Sequence, residues 1–159
     1  MTVLVATLLA PLLTAALGSL GGPRRLKEGI LIGGLAATFG LCLVTAGVFL
    51  SGTVPAAFGD ALRVDGLSAL VLVLCGFVGL VSGVYGAGYL RRNEPRGLVT
   101  PRMRREFHGL VPAYVFAMLL VVVSNNLGIL WIAVELTTLH YDRLEDLAVE
   151  VEGLQGQGG

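Results

Sequence analysis

Charge is scarce in this sequence. Only 14% of its 159 residues are charged while 55% are hydrophobic, and the mean hydropathy is +0.82. A soluble domain of this size cannot hide so much apolar surface, so the chain reads as an integral membrane protein. Cysteine is scarce as well. Cys42 and Cys75 lie in the middle of different apolar runs, without partners at metal-ligand spacing, which argues against a disulfide scaffold or a thiolate metal centre. They read as small apolar packing residues. Pairs of nucleophile and base, clusters of metal ligands and nucleotide loops are missing too. The glycines lie inside apolar runs rather than at a strand-to-helix turn, where a phosphate-cradling loop has to be. A self-contained enzyme therefore has no support in the sequence, and no cofactor, metal or nucleic acid is expected.

What the sequence does contain is long uncharged runs: Met1 to Pro23, Gly29 to Gly59, Gly66 to Leu90 and Gly109 to Val134. Each reaches the roughly 20 residues a bilayer span requires. The opening run has no basic residues ahead of its apolar core and no clear cleavage site, so it reads as a retained first helix. Helices are expected near residues 2–21, 29–51, 65–90 and 110–124. Basic residues collect in two loops: Arg24, Arg25 and Lys27 after the first run, and Arg91, Arg92, Arg96, Arg102, Arg104 and Arg105 after the third. The loop between them holds only Asp60, Arg63 and Asp65. By the positive-inside rule, the basic loops face the cytoplasm and Met1 faces outward, giving a multi-pass protein of the inner or plasma membrane.

Glycine is plentiful, with 23 residues, about twice the usual share of roughly 7%. In the third run Gly76, Gly79, Gly83 and Gly86 step by three and four onto one helix face, a seam that expects a neighbour. In the second run Gly29 and Gly33 form a GxxxG pair, and Gly40 and Gly47 continue at seven-residue steps. Asp65 opens the third helix, where the dipole favours an acid, and Tyr85 and Tyr89 close it as an interfacial belt. Arg91 to His108, with Pro95 and Pro101, reads as a connector. It is first a topology signal, with anionic lipid or a neighbouring subunit as candidate partners. His108, beside Phe107 at the membrane edge, is either structural or a proton relay.

The last apolar run contains a polar step, Ser124, Asn125, Asn126, Leu127, Gly128. Two readings stay open. In one, a single long helix ends at Val134 and Glu135 is the first residue back in water. In the other, the step is a turn, a fifth helix starts at Gly128, and Glu135 lies about 12 Å inside the membrane at roughly 1.5 Å per residue. An ionisable group at that depth is costly and marks function. Beyond Leu139 the character changes. Five of the chain's 11 acids, Asp142, Glu145, Asp146, Glu150 and Glu152, follow, with Arg143 as the only base. The expected partition is a membrane domain over residues 1–139 and a polar acidic tail over 140–159, forming a surface helix or disordered.

The stretch SNNLGILWIAVELTTL, Ser124 to Leu139, resembles the antiporter-like membrane subunits of respiratory complex I, of Mrp-type cation/proton antiporters and, most closely, of group 4 membrane-bound hydrogenases. DGLSALVLVLCGFVGLVSGVYGAGY, Asp65 to Tyr89, is similar to the third helix of that family. The resemblance implies that Asn126, Trp131 and Glu135 belong to the motif of a fifth helix. It also implies that Glu135 is one half of a glutamate–lysine pair in a proton path, driven by redox chemistry in partner subunits. Family members have about fourteen helices, and the lysine lies on one this chain does not contain. The chain reads as an amino-terminal piece joined to an unrelated tail, or as a short paralogue. The expected fold is therefore all-α: an integral membrane bundle of four transmembrane helices, a truncated fifth and an acidic tail. The expected function is a membrane subunit, not catalytic alone, of a proton-translocating oxidoreductase or hydrogenase complex, with Glu135 in its path and His108 as a second candidate. Its partners are other membrane subunits and the bilayer. The alternative is a non-catalytic assembly or anchoring protein, or an inactive truncated paralogue.

Overall fold

The computed structural model describes residues 2–20, 23–96 and 99–156. Five helices carry nearly all of them: α1 (Thr2–Ser19), α2 (Arg24–Leu50), α3 (Gly66–Asn93), α4 (Pro101–Val123) and α5 (Leu127–Gly156). A small antiparallel hairpin, β1 (Ala56–Ala57) and β2 (Leu62–Arg63), joins α2 to α3. Helices α1 to α4 are each long and apolar enough to cross a membrane, so the chain is a multi-pass membrane protein with an all-α bundle. The expected end of the first helix at residue 21 and the last residues of the acidic tail, 157–159, lie outside the described residues.

The helices form a ring in which α1 packs on α2 and α4, and α3 packs on the same two. Helix α5 lies outside the ring, along α4. Which side of each helix turns inward is decided by size more than by polarity, because the surroundings are apolar too. In α1 the buried stripe is Leu4, Thr7, Leu8, Pro11, Thr14 and Gly18, while Leu9, Leu13 and Leu17 face out. The buried threonines satisfy themselves: Thr7 Oγ1 donates to Val3 O at 2.8 Å, Thr14 Oγ1 to Ala10 O at 2.8 Å and Thr38 Oγ1 to Gly34 O at 2.8 Å. Thr7 and Thr45 also meet hydroxyl to hydroxyl at 2.9 Å, which ties α1 to α2.

The glycines of α3 serve two neighbours rather than one. A Cβ at Gly76 would lie 3.0 Å from Cys42 Sγ, and one at Gly83 would strike Leu35, both on α2. A Cβ at Gly79 would lie 2.6 Å from Val115 Cγ2, and one at Gly86 would strike the Phe107 ring, both on α4. Seven-residue spacing within each pair keeps two separate close approaches on one helix. Cys42 and Cys75 are buried free thiols inside this packing. Gly29, Gly33, Gly40 and Gly47 of α2 meet nothing within 4 Å, so that face is uncovered among the described residues.

Three boundaries differ from the sequence expectation. Helix α4 starts at Pro101, not near residue 110. Thr100 caps it, its hydroxyl accepting the Met103 N–H at 3.2 Å, Pro101 takes the first turn, and Arg102 pairs with Glu106 at 2.8 Å one turn on. Helix α2 starts at Arg24, with Pro23 as its extended cap. In both cases charge ends the membrane-embedded part of a helix without ending the helix. The tail, expected as a surface helix or disordered, is helical, and the same physics joins it to the fifth helix: α5 runs through His140 without a break to Gly156. Glu, Leu, Arg and Ala are good helix formers, and the charges bear on insertion only. Helix α5 is not among the four candidate spans.

Candidate functional site

Helix α4 ends at Val123 and the polar step is a turn. Ser124 bridges to Leu62 of the hairpin, the Asn125 N–H donates to Ala61 O at 2.9 Å, and Asn125 Nδ2 donates to Asp60 O at 3.0 Å. Asn126 Oδ1 then accepts the N–H groups of Gly128 (2.9 Å) and Ile129 (3.4 Å), capping α5. The hairpin is held in turn by its buried Ala57, Leu62 and Val64 and by a tight reversal in which Phe58, Gly59 and Asp60 all have positive φ. Of the two readings open in the sequence, the structure takes the turn.

Glu135 therefore lies on α5 about 12 Å from Leu127, at roughly 1.5 Å per residue, alongside the apolar part of α4. Its direction follows from the helix register. Ile129, Ala133, Leu136, His140, Leu144 and Leu147 form the half that is wholly or partly buried, spaced three and four apart. Glu135 is two residues beyond Ala133, on the opposite half with Leu127, Trp131 and Thr138, all exposed. Trp131 is 75% exposed. Among the described residues no side chain pairs with Glu135. The motif pair Trp131 and Glu135 thus shares one outward face, and Asn126 serves as the cap that starts the helix.

His108, placed by the sequence at the membrane edge, is an interior residue of the bundle. With α4 beginning a full two turns earlier, His108 falls inside the bundle at 1% exposure, its backbone pressed against Gly18 of α1. Its Nδ1 is 2.7 Å from Arg104 O. A carbonyl only accepts, so Nδ1 carries the proton; Nε2 is buried without a partner. The charges acting on the ring are Lys27, Glu28 and Arg104, and Lys27 is itself buried. Sequence reading missed Lys27 as an interior residue. Its register, four residues before Leu31 and eight before Leu35, puts it on the side of α2 that the structure turns inward, a side the apolar pattern does not distinguish from the other.

Glu135 and His108 are not brought together. His108 is about 22 Å of helix from the end of α4, Glu135 about 12 Å from the start of α5, and the two face opposite ways. Outside the spans, Asp65 caps α3. Its Oδ1 accepts the Ser68 N–H at 2.7 Å, and this bond holds the carboxyl below the usual aspartate range. Among the described residues, no three potential metal ligands gather in one place.

No protein-family model matches the chain. It is 30% identical over 81 residues to a hydrogenase-4 component F homolog of Methylacidiphilum infernorum (isolate V4), a match covering 51% of this chain and 17% of that protein. The chain thus spans only a small part of that relative's length. Four helices long and apolar enough to cross a membrane make the chain a multi-pass membrane protein, and its similarity to that hydrogenase-4 component F homolog is distant and partial.

Proposed function

We propose that this chain is a membrane subunit, or the amino-terminal portion of one, in a proton-translocating assembly of the hydrogenase or complex I-like kind, with Glu135 as the protonated carrier. The observation that carries the reading is the position of Glu135: on the apolar first half of α5, alongside α4, on the same face as Trp131, which no other described residue covers. A carboxylate at that depth has to be protonated or matched by a cation once other helices enclose it. That is the condition under which a side chain loads and releases a proton. The basic end of the bundle faces the cytoplasm and the hairpin end faces outward. His108 looks into the bundle and away from Glu135, so we leave it outside the path.

Proton uptake into liposomes tests this, comparing the chain alone with an assembly containing the partner subunits and the further helices of the relative. We expect no conduction by the 159-residue chain and uptake by the assembly that Glu135→Gln abolishes. Undiminished uptake by the assembly carrying Glu135→Gln refutes the assignment. A second reading, a non-catalytic assembly or anchoring module, draws on the uncovered glycine face of α2. It expects Glu135→Gln to be silent while Gly33→Leu prevents assembly.

A further inference from the structure

At the basic end of the bundle, α5 leans on α4 and stands off from α3. This leaves a trough of about 380 Å³, with Phe107 and Val111 of α4 as its floor, Tyr85 and Gly86 of α3 as one wall and Leu144 and Leu147 of α5 as the other. Its size falls within the roughly 300–1,000 Å³ typical of ligand sites. The trough exists because Gly86 lets the Phe107 ring lie against the α3 backbone. A second hollow adjoins it, sharing Tyr85 and Tyr89 and bounded by Arg91 and Arg92 in the last turn of α3.

The two hollows differ in kind. The first is apolar and opens on the flank of a membrane bundle, where the matter available to fill it is acyl chain. The second is cationic. Arg63, Arg102, Arg104 and Arg143 pair with Asp60, Glu106, Glu94 and Asp146, and Arg105 Nε donates to Ser19 O. Among the described residues Arg91 and Arg92 have no such partner, and both are exposed. Tyrosines where the hollows meet mark the depth at which tail gives way to headgroup. The α5 wall has the opposite sign, with Glu145 and Asp146 beside Leu144 and Leu147. It confines an anionic head to the α3 side.

We propose that this composite groove binds one anionic glycerophospholipid of the leaflet at the basic end, an acyl chain lying in the trough and the phosphate on Arg91 and Arg92. The site is independent of Glu135 and of the function proposed above. Charge selects the headgroup, since basic residues near a membrane surface attract anionic lipid, and shape holds the chain.

Native mass spectrometry of the full 159-residue chain in detergent, with dioleoyl phosphatidylglycerol or dioleoyl phosphatidylcholine added, tests the site. We expect phosphatidylglycerol to be retained preferentially. Arg91→Gln/Arg92→Gln should lower its retention about thirtyfold, roughly fivefold per arginine. Ser82→Phe, which fills the trough, should lower retention of both lipids, and Arg63→Gln at the far end should leave both unchanged. Because the arginines are exposed, the double variant folds, as unchanged helical circular dichroism will verify. Equal retention of the two lipids, undiminished phosphatidylglycerol binding by the double variant, or a dimer that excludes the lipid overturns the proposal. A photoreactive acyl chain provides a second readout. Cross-links should map to Tyr85–Arg92 and Leu144–Leu147, and a map confined to other segments also overturns it.

Discussion

Replacing Gly79 by alanine places a methyl group where Val115 already sits. Its Cβ would lie 2.6 Å from Val115 Cγ2 and 3.3 Å from Cγ1, against the roughly 3.5–4.0 Å of a relaxed carbon contact. Turning Val115 about χ1 exchanges one methyl for the other, and a valine in a helix has essentially one comfortable rotamer. The residue is 3% exposed, so it has nowhere else to go. Helices α3 and α4 must therefore part by about 1 Å, a gap that forfeits up to half of each dispersion contact along the seam. Overpacking of this kind costs about 1–3 kcal/mol, and we place Gly79→Ala in the upper half of that range. For a chain of this length the thermal midpoint in detergent, followed by circular dichroism, should fall by about 4–12 °C. Gly79→Leu should fall further. The decisive measurement is the double-mutant cycle, because Val115→Ala removes both obstructing methyls. Gly79→Ala/Val115→Ala should be less destabilised than the sum of the single variants by about 1–2 kcal/mol. Gly33→Ala, with nothing within 4 Å, should change stability by less than about 0.5 kcal/mol. Strict additivity in the cycle, or equal losses at Gly79 and Gly33, refutes the packing argument.

Three further outcomes follow from other parts of the chain. Asn126→Ala removes the cap of α5 and should destabilise the α4–α5 hairpin by about 0.5–2 kcal/mol; hydrogen exchange at Gly128 and Ile129 should speed up, and unchanged protection there would deny the cap. A cysteine at Arg96 should react with an impermeant maleimide only from the cytoplasmic side, the buried Cys42 and Cys75 staying silent; preferential labelling from outside overturns the orientation. The hydrogen bond from the Ser68 N–H holds the Asp65 carboxyl below its ordinary range, so its stabilisation is full above the ordinary aspartate value near 3.9 and is lost as pH falls through the lowered folded value. The thermal midpoint should therefore drop on acidification into that window, and Asp65→Asn, which keeps a capping oxygen, should lack this component; an identical acid profile in the variant sinks the assignment.

Most of the architecture was legible in the apolar runs. Uncharged stretches long enough to cross a bilayer leave the backbone no alternative to helix, so four spans and their order could be read directly. The Asn-rich step and its following glycine offered the turn before α5 as one of two readings, and the three-four stepping of Gly76 to Gly86 marked a close-packed face. Helix ends were less legible where charge entered. Arg102 to His108 and His140 to Gly156 look like loop and tail because insertion and helicity are read from the same apolar signal. A charged helix emerging from the membrane satisfies one and not the other. Direction was hidden as well. In an apolar environment the inward and outward faces of a helix share a composition, so nothing in the pattern told whether Gly83 meets α2 or α4. Nor did the pattern place His108 and Lys27 inside, or turn Glu135 away from the bundle. Those outcomes depend on which helices are adjacent, and adjacency is set by the fit of Gly79 to Val115, Gly86 to Phe107 and Gly18 to His108. These contacts join residues far apart in sequence and exist only once the helices have packed.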